Sequence, residues 1–133
     1  MEQTLIIIKP DAVARKLVGA IFQRFEQKQL TIRQLSLGMM SRETAEKHYD
    51  HIRQYAFFEA MMAYMTESEV IYAVLEGEEA IAVVRKMIGA TNCIEAEPGT
   101  IRGDYGGKGF RNIIHASDSV ESAALEIHRF FHQ

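Results

Sequence analysis

Residues 4–9 read TLIIIK, with four consecutive apolar side chains, three of them β-branched, and Pro10 directly after. An unbroken apolar run of this length predicts a strand buried on both faces, because a strand with one wet face would alternate apolar and polar residues. Pro10 ends it, having no N–H to give a sheet. Working outward, Val18, Ile21, Phe22 and Phe25 stand at the i, i+3, i+4, i+7 spacing of an amphipathic helix. Leu30 and Ile32, then Leu35, Leu37 and Met39, alternate like a half-buried strand, with one slip of phase near Gln34 that predicts a bulge.

Ser41 is a candidate N-cap for a helix starting at Arg42. Phe58, Met61, Met62 and Met65 form a further helical stripe of core-filling type. Residues 70–75 (VIYAVL) read as another buried strand, and residues 78–88 as a helix with Ile81, Val84 and Ile88 on one face. From Gly89 to Arg111 the periodicity fails and glycines accumulate, so this stretch reads as a long functional loop. Residues 112–115 (NIIH) form a short strand. Val120, Ala123, Ala124, Ile127, Phe130 and Phe131 give the clearest helical face, with Asp118 and Glu121 placed as a capping box.

The order β-α-β-α-β-α-β, with the second helical region broken in two, places the chain in the α/β (α+β) class. It selects a ferredoxin-like sandwich: a four-stranded antiparallel sheet with helices on one face. A doubly wound parallel sheet also suits the buried strands, but four strands make it small. One domain over 1–133 is expected from the length, and the hydrophobic fraction of 47% fits a globular core.

A net charge of −3 provides no basic field for nucleic acid, so no such partner is expected. Cys93 is the only cysteine and the N-terminus lacks a basic start, which excludes an internal disulfide and points to the cytoplasm. The apolar run at residues 5–8 is too short to span a membrane.

His115 is the most informative single residue. It ends an apolar strand just before the polar Ser117-Asp118-Ser119 turn, a rigid edge from which to aim a nucleophile. Glu126 on the next helix is placed to orient its imidazole. Lys9 at the end of the first strand can meet a phosphate as a point charge. Arg85 and Arg102 add guanidinium groups, Arg102 from the irregular stretch where function concentrates. His48 and His51 share a helical face, but no third ligand for zinc is evident. The Gly106-Gly107-Lys108-Gly109 turn lacks the spacing of a P-loop.

Six stretches, taken in order, carry a resemblance. They are Ile8-Lys9-Pro10-Asp11-Ala12, Arg24-Phe25-Glu26, Leu75-Glu76-Gly77, Gly89-Ala90-Thr91, Pro98-Gly99-Thr100-Ile101-Arg102-Gly103-Asp104 and Asn112-Ile113-Ile114-His115-Ala116-Ser117-Asp118-Ser119. The sequence resembles the nucleoside diphosphate kinases from about Thr4 to Phe131, and the last two stretches are highly specific. The resemblance implies a ping-pong exchange in which the histidine matching His115 takes the γ-phosphoryl group of a nucleoside triphosphate and passes it to a nucleoside diphosphate. It implies Mg²⁺ held by the nucleotide phosphates, with no firm protein ligand. Lys9, Tyr49, Arg85, Thr91, Arg102 and Asn112 match positions that hold phosphates and ribose. Phe57 matches the aromatic on which the base stacks, with Met61 nearby. Glu126 and Ser117 match residues that orient the histidine. The family also implies a homo-oligomer, hexamer or tetramer.

The chain departs from the family pattern at several points. Ala116 stands at a common Gly, Tyr55-Ala56 where Arg-Pro often precedes the two phenylalanines, Glu67-Ser68-Glu69 at a Ser-Gly-Pro turn, and Gln29 at a usual Gly. The sequence stops at Gln133, short of a tail that many members use in subunit contacts. Two other classes compete with the enzyme: a nucleotide-binding relative without turnover, and a nucleic-acid binder on the same fold.

Overall fold

The architecture is that of a computed structural model describing residues 1–107, 109 and 111–132. Lys108 of the glycine-rich turn and the terminal Gln133 lie outside the described residues. The strands are β1 (Glu2–Ile8), β2 (Thr31–Gly38), β3 (Val70–Gly77) and β4 (Ile114–Ala116). They form one sheet in the order β2-β3-β1-β4, and every neighbouring pair is antiparallel. The helices are α1 (Pro10–Ala14), α2 (Val18–Gln27), α3 (Arg42–His48), α4 (Phe58–Met65), α5 (Ala80–Ile88), α6 (Ile101–Tyr105) and α7 (Val120–Phe131).

The apolar run of β1 sits at the sheet's centre, paired with β3 on one side and β4 on the other. Successive side chains of a strand point to opposite faces, so Ile6 and Ile8 join one apolar cluster while Leu5 and Ile7 join another. The first cluster takes in Ile21 and Phe25 of α2 and Val84 and Ile88 of α5. The second takes in Ala45 of α3 and Met61, Met62 and Met65 of α4, with Ile127, Phe130 and Phe131 of α7 packed against it. Helices therefore cover both faces of the sheet, which corrects the expectation of one covered face. The consecutive isoleucines require it: each face of β1 carries apolar side chains with no exposure.

Three further expectations change. The register of β2 slips between Ile32 and Gln34, at the predicted bulge. Yet β2 is not half-buried: Leu35 and Leu37 are 56% and 57% exposed. Among the described residues this edge strand has β3 as its one strand neighbour, and of its apolar side chains Ile32 alone packs against a cluster. Within the stretch expected to be irregular, Thr100 caps the short helix α6 by accepting a hydrogen bond from the Gly103 N–H. A five-residue helix is too short to show periodicity. The cap of α7 is Ser119, which accepts from the Ser122 N–H, one residue beyond the Asp118 expected. Ser41 caps α3 as expected, accepting from the Thr44 N–H.

If both faces of β1 are core, Ile6→Ala and Ile7→Ala should each destabilise the chain by roughly 2–5 kcal/mol. Urea denaturation of the two variants checks this. A near-neutral result for either would mean that its face is not packed.

Candidate functional site

His115 lies in the middle of β4, opposite Ile7 of β1, and opens onto a cleft of about 1170 Å³. Its Nε2 is 2.9 Å from Glu126 Oε1, reaching from α7. The same carboxylate oxygen accepts a 2.7 Å hydrogen bond from the Ser117 hydroxyl. A carboxylate only accepts, so the imidazole carries its proton on Nε2 and leaves the Nδ1 lone pair free. Ser117 is itself buried, and its backbone N–H donates to Leu5 O of β1 at 3.0 Å. Ser117 is thus fixed to the central strand.

Two cations are buried in the wall of this cleft. Lys9, 5% exposed, donates to Asn112 Oδ1 at 2.7 Å. Arg102, 4% exposed, donates to three backbone carbonyls: Gly89 O at 3.1 Å, Asn112 O at 3.3 Å and Ile114 O at 2.6 Å. None of these acceptors is ionised. Burial, reinforced by the Arg102 charge, pulls the Lys9 ammonium from 10.5 down to about 7, against smaller upward pulls from Asp11 and Cys93. Burial likewise lowers Arg102 to about 10, leaving it charged at neutral pH. Two buried cations with no carboxylate ion-paired to them among the described residues make a strong local attraction for an anion.

The other expected residues gather at the same cleft. Arg85 reaches from α5 to Ala116 O at 3.2 Å and is exposed. Asn112 Nδ2 donates to Thr91 O at 3.1 Å, tying the Thr91 turn to the wall. The Tyr49 hydroxyl is buried without a hydrogen-bond partner among the described residues, and the ring lines the cleft. Burial and the Glu126 charge push its pKa up. A buried orphan hydroxyl is costly unless a ligand or water meets it. At the mouth, Phe57 is exposed and lies parallel to Tyr55, with 5.5 Å between centroids and 4° between planes. Nine of the ten sequence-predicted site residues thus line one cleft, and the tenth, Ser117, is buried behind it in contact with Glu126.

The sequence reading missed His48. It was grouped with His51, but its ring is buried and packs edge-on against His115 at 4.7 Å. The helical spacing carried no sign of that long-range contact. Among the described residues, one group of three or more His, Cys, Asp or Glu side chains brings potential ligand atoms within 4.8 Å: His48, His115 and Glu126. Two nitrogens and one oxygen suit zinc, whereas Mg²⁺ asks for six oxygens. No helix among the described residues is long and apolar enough to cross a membrane.

A family model for nucleoside diphosphate kinase matches residues 2–133. The nucleoside diphosphate kinase of Acetivibrio thermocellus is 52% identical over 98% of this chain and 96% of its own length. The apo crystal structure of nucleoside diphosphate kinase from Encephalitozoon cuniculi has a TM-score of 0.97 and 44% identity, covering 100% of this chain and 90% of that one. The Halobacterium salinarum nucleoside diphosphate kinase, solved in complex with CDP, has a TM-score of 0.96 and 37% identity, covering 99% and 88%.

The depressed Lys9 gives a signed expectation. In the unfolded chain this amine stays protonated up to its ordinary value of 10.5, while in the fold it loses its proton near 7. Between those limits the unfolded state binds more protons, so rising pH stabilises the fold. Lys9→Met removes the penalty and should be the more stable protein at pH 7, on the order of a few kcal/mol. Its advantage should shrink as urea melts are repeated towards pH 10. An advantage that stays constant with pH would mean Lys9 is not buried as a depressed cation.

Proposed function

The chain belongs to the nucleoside diphosphate kinase family, and from that premise we propose that His115 Nδ1 is the atom that carries the phosphoryl group between nucleotides. The carrying observation is the 2.9 Å contact of His115 Nε2 with Glu126, which commits one nitrogen and leaves the other as nucleophile. In the first half-reaction the Nδ1 lone pair attacks the γ-phosphorus of a nucleoside triphosphate. An N–P bond forms, the bond to the bridging oxygen breaks, and the nucleoside diphosphate departs with that electron pair. In the second, a terminal phosphate oxygen of another nucleoside diphosphate attacks the same phosphorus and the N–P bond breaks. His115 is restored. Glu126 and Ser117 hold the ring in one tautomer throughout.

Phosphoryl transfer depends on in-line placement and on charge neutralisation more than on covalent help. Lys9, Arg85 and Arg102 neutralise phosphate oxygens in this reading, and the orphan Tyr49 hydroxyl donates to one. Thr91 and Asn112 hold phosphate and ribose. Phe57 stacks on the base, and because every base has a π-face the enzyme accepts several. The His48, His115 and Glu126 donors do not form an oxygen cage, so Mg²⁺ would come with the nucleotide and would supply further positive charge.

The same reading treats residues 1–133 as one catalytic domain in the cytoplasm, which accords with a single, unpaired and buried Cys93. It also makes the protein a homo-oligomer. The edge strand β2 offers an unpaired backbone and the exposed Leu35, Leu37 and Met39. Natural edges of that kind are normally covered or charged, and a second copy of this chain is the partner with a matching edge.

Labelled ATP should leave acid-labile, base-stable phosphate on the protein and none on His115→Ala. Labelling of that variant would refute His115 as carrier. Lys9→Met should lower kcat by roughly 10²–10³-fold, the usual loss for one preorganised donor, while remaining folded. A kcat within a factor of two of the parent would remove Lys9 from the transition state. Light scattering should give several chain masses for the parent and a smaller assembly for Leu35→Lys/Leu37→Lys. A parent that runs as one chain would exclude the oligomer.

A further inference from the structure

His48 has no part in the reaction described above, yet it is held with unusual care. It is the last residue of α3 and 6% exposed. Tyr49 meets its ring edge-on at 4.7 Å, and Phe130 does so at 5.3 Å. The His115 ring stands at 86° to it. Apolar packing explains that much. It does not explain Arg129, whose Nη1 lies 3.0 Å from His48 Nδ1.

A guanidinium has only donors and keeps its proton. The contact therefore runs one way, with Arg129 donating and Nδ1 accepting. A neutral imidazole has a single ring lone pair. With that pair engaged by Arg129, the ring proton of His48 must sit on Nε2. Burial, with the charges of His115, Arg129, Lys9 and His51, holds the ring well below the ordinary histidine range, so it stays neutral.

This matters because His48, His115 and Glu126 bring one potential ligand atom each within 4.8 Å. Two imidazoles and a carboxylate form the protein half of a catalytic zinc site. A transition-metal ion seated there would tie up the ring that the proposed reaction needs. Arg129 opposes it in two ways. It consumes the lone pair that His48 would offer, and it adds a positive charge at the rim of the same cleft.

We propose that Arg129 locks His48 in its Nε2–H tautomer and thereby keeps transition-metal ions off the His115–Glu126 pair. His48 is the ligand that is withheld, and Arg129 is the group that prevents a zinc site from forming. The consequence for activity rests on the reading of His115 as phosphoryl carrier, whereas the consequence for metal binding does not.

The test measures Zn²⁺ binding by competition with a chromogenic chelator, alongside phosphoenzyme labelling. Arg129→Leu should gain one Zn²⁺ per chain, at least tenfold tighter than the parent, and Arg129→Leu/His48→Phe should lose it. Arg129→Lys, which still donates to Nδ1, should behave as the parent. Labelling of Arg129→Leu should become at least tenfold more sensitive to Zn²⁺. Gain of the site without that sensitivity would refute the role of His115 while leaving the lock standing. Long-range ¹H–¹⁵N spectra of the parent need no variant, and should show His48 protonated on Nε2 at neutral pH. A proton on Nδ1, a parent that binds Zn²⁺ as tightly as Arg129→Leu, or a site that survives His48→Phe would each overturn the proposal.

Discussion

The cleft depends on how a three-residue strand is held still. β4 pairs with β1 only from Ile114 to Ala116, too little ladder to fix a side chain by itself. The additional hold comes from Arg102, whose guanidinium spans Gly89 O, Asn112 O and Ile114 O. Lys9 N–H donates to Ile113 O, and Ser117 N–H to Leu5 O, so both ends of β4 are tied to β1. Between them Ile113 adopts a left-handed backbone with φ of 64°. That conformation costs a β-branched residue roughly 1–2 kcal/mol, and it persists because the surrounding bonds over-determine it. The bend turns the chain out of the Asn112 contacts and into the strand that presents His115.

The same hydrogen bonds set the electrostatics. Arg102 meets neutral carbonyls and Lys9 meets a neutral amide. Each cation is desolvated and positioned, but neither is neutralised. A carboxylate partner would stabilise the empty protein and weaken its pull on phosphate. The fold accepts a depressed lysine in exchange for a cleft whose charge is preorganised. A net charge of −3 over the whole chain is therefore compatible with an anion site, because screening makes distant surface charge a weak influence on a buried one.

How much of this could be read from the sequence follows from the range of each interaction. The TLIIIK run declares a central strand, because burial on both faces leaves a local composition. The same run calls for cover on both faces, but the i, i+3 stripes of α2, α4 and α7 do not say which side each helix takes. The bulge at Gln34 was legible as a slip of phase, while the exposure of Leu35 and Leu37 was not, since an edge position depends on what is missing beside the strand. Helix α6, five residues long, has no apolar stripe to read. Among the site residues, His115 and Glu126 are eleven positions apart and were paired in advance. His48 and Arg129 are 81 apart, and nothing local joins them.

Two of the departures from the family pattern are taken up by contacts that the substituted residues themselves make. Glu67, in the place of a Ser-Gly-Pro turn, forms a two-point ion pair with Arg111, at 2.7 and 3.1 Å. That guanidinium also lies over the Tyr64 ring, and so the end of α4 is tied to the segment that leads into β4. Tyr55, where an arginine often stands, lies parallel to Phe57 instead of offering a charge at the mouth. Gln29, at a usual glycine, takes a φ of 68°, which explains why glycine suits the position. Each substitution changes how a neighbouring segment is braced. Ala116 is the departure that reaches the cleft: it lies beside His115, and its carbonyl accepts from Arg85 at 3.2 Å, a backbone contact that a glycine there would equally make.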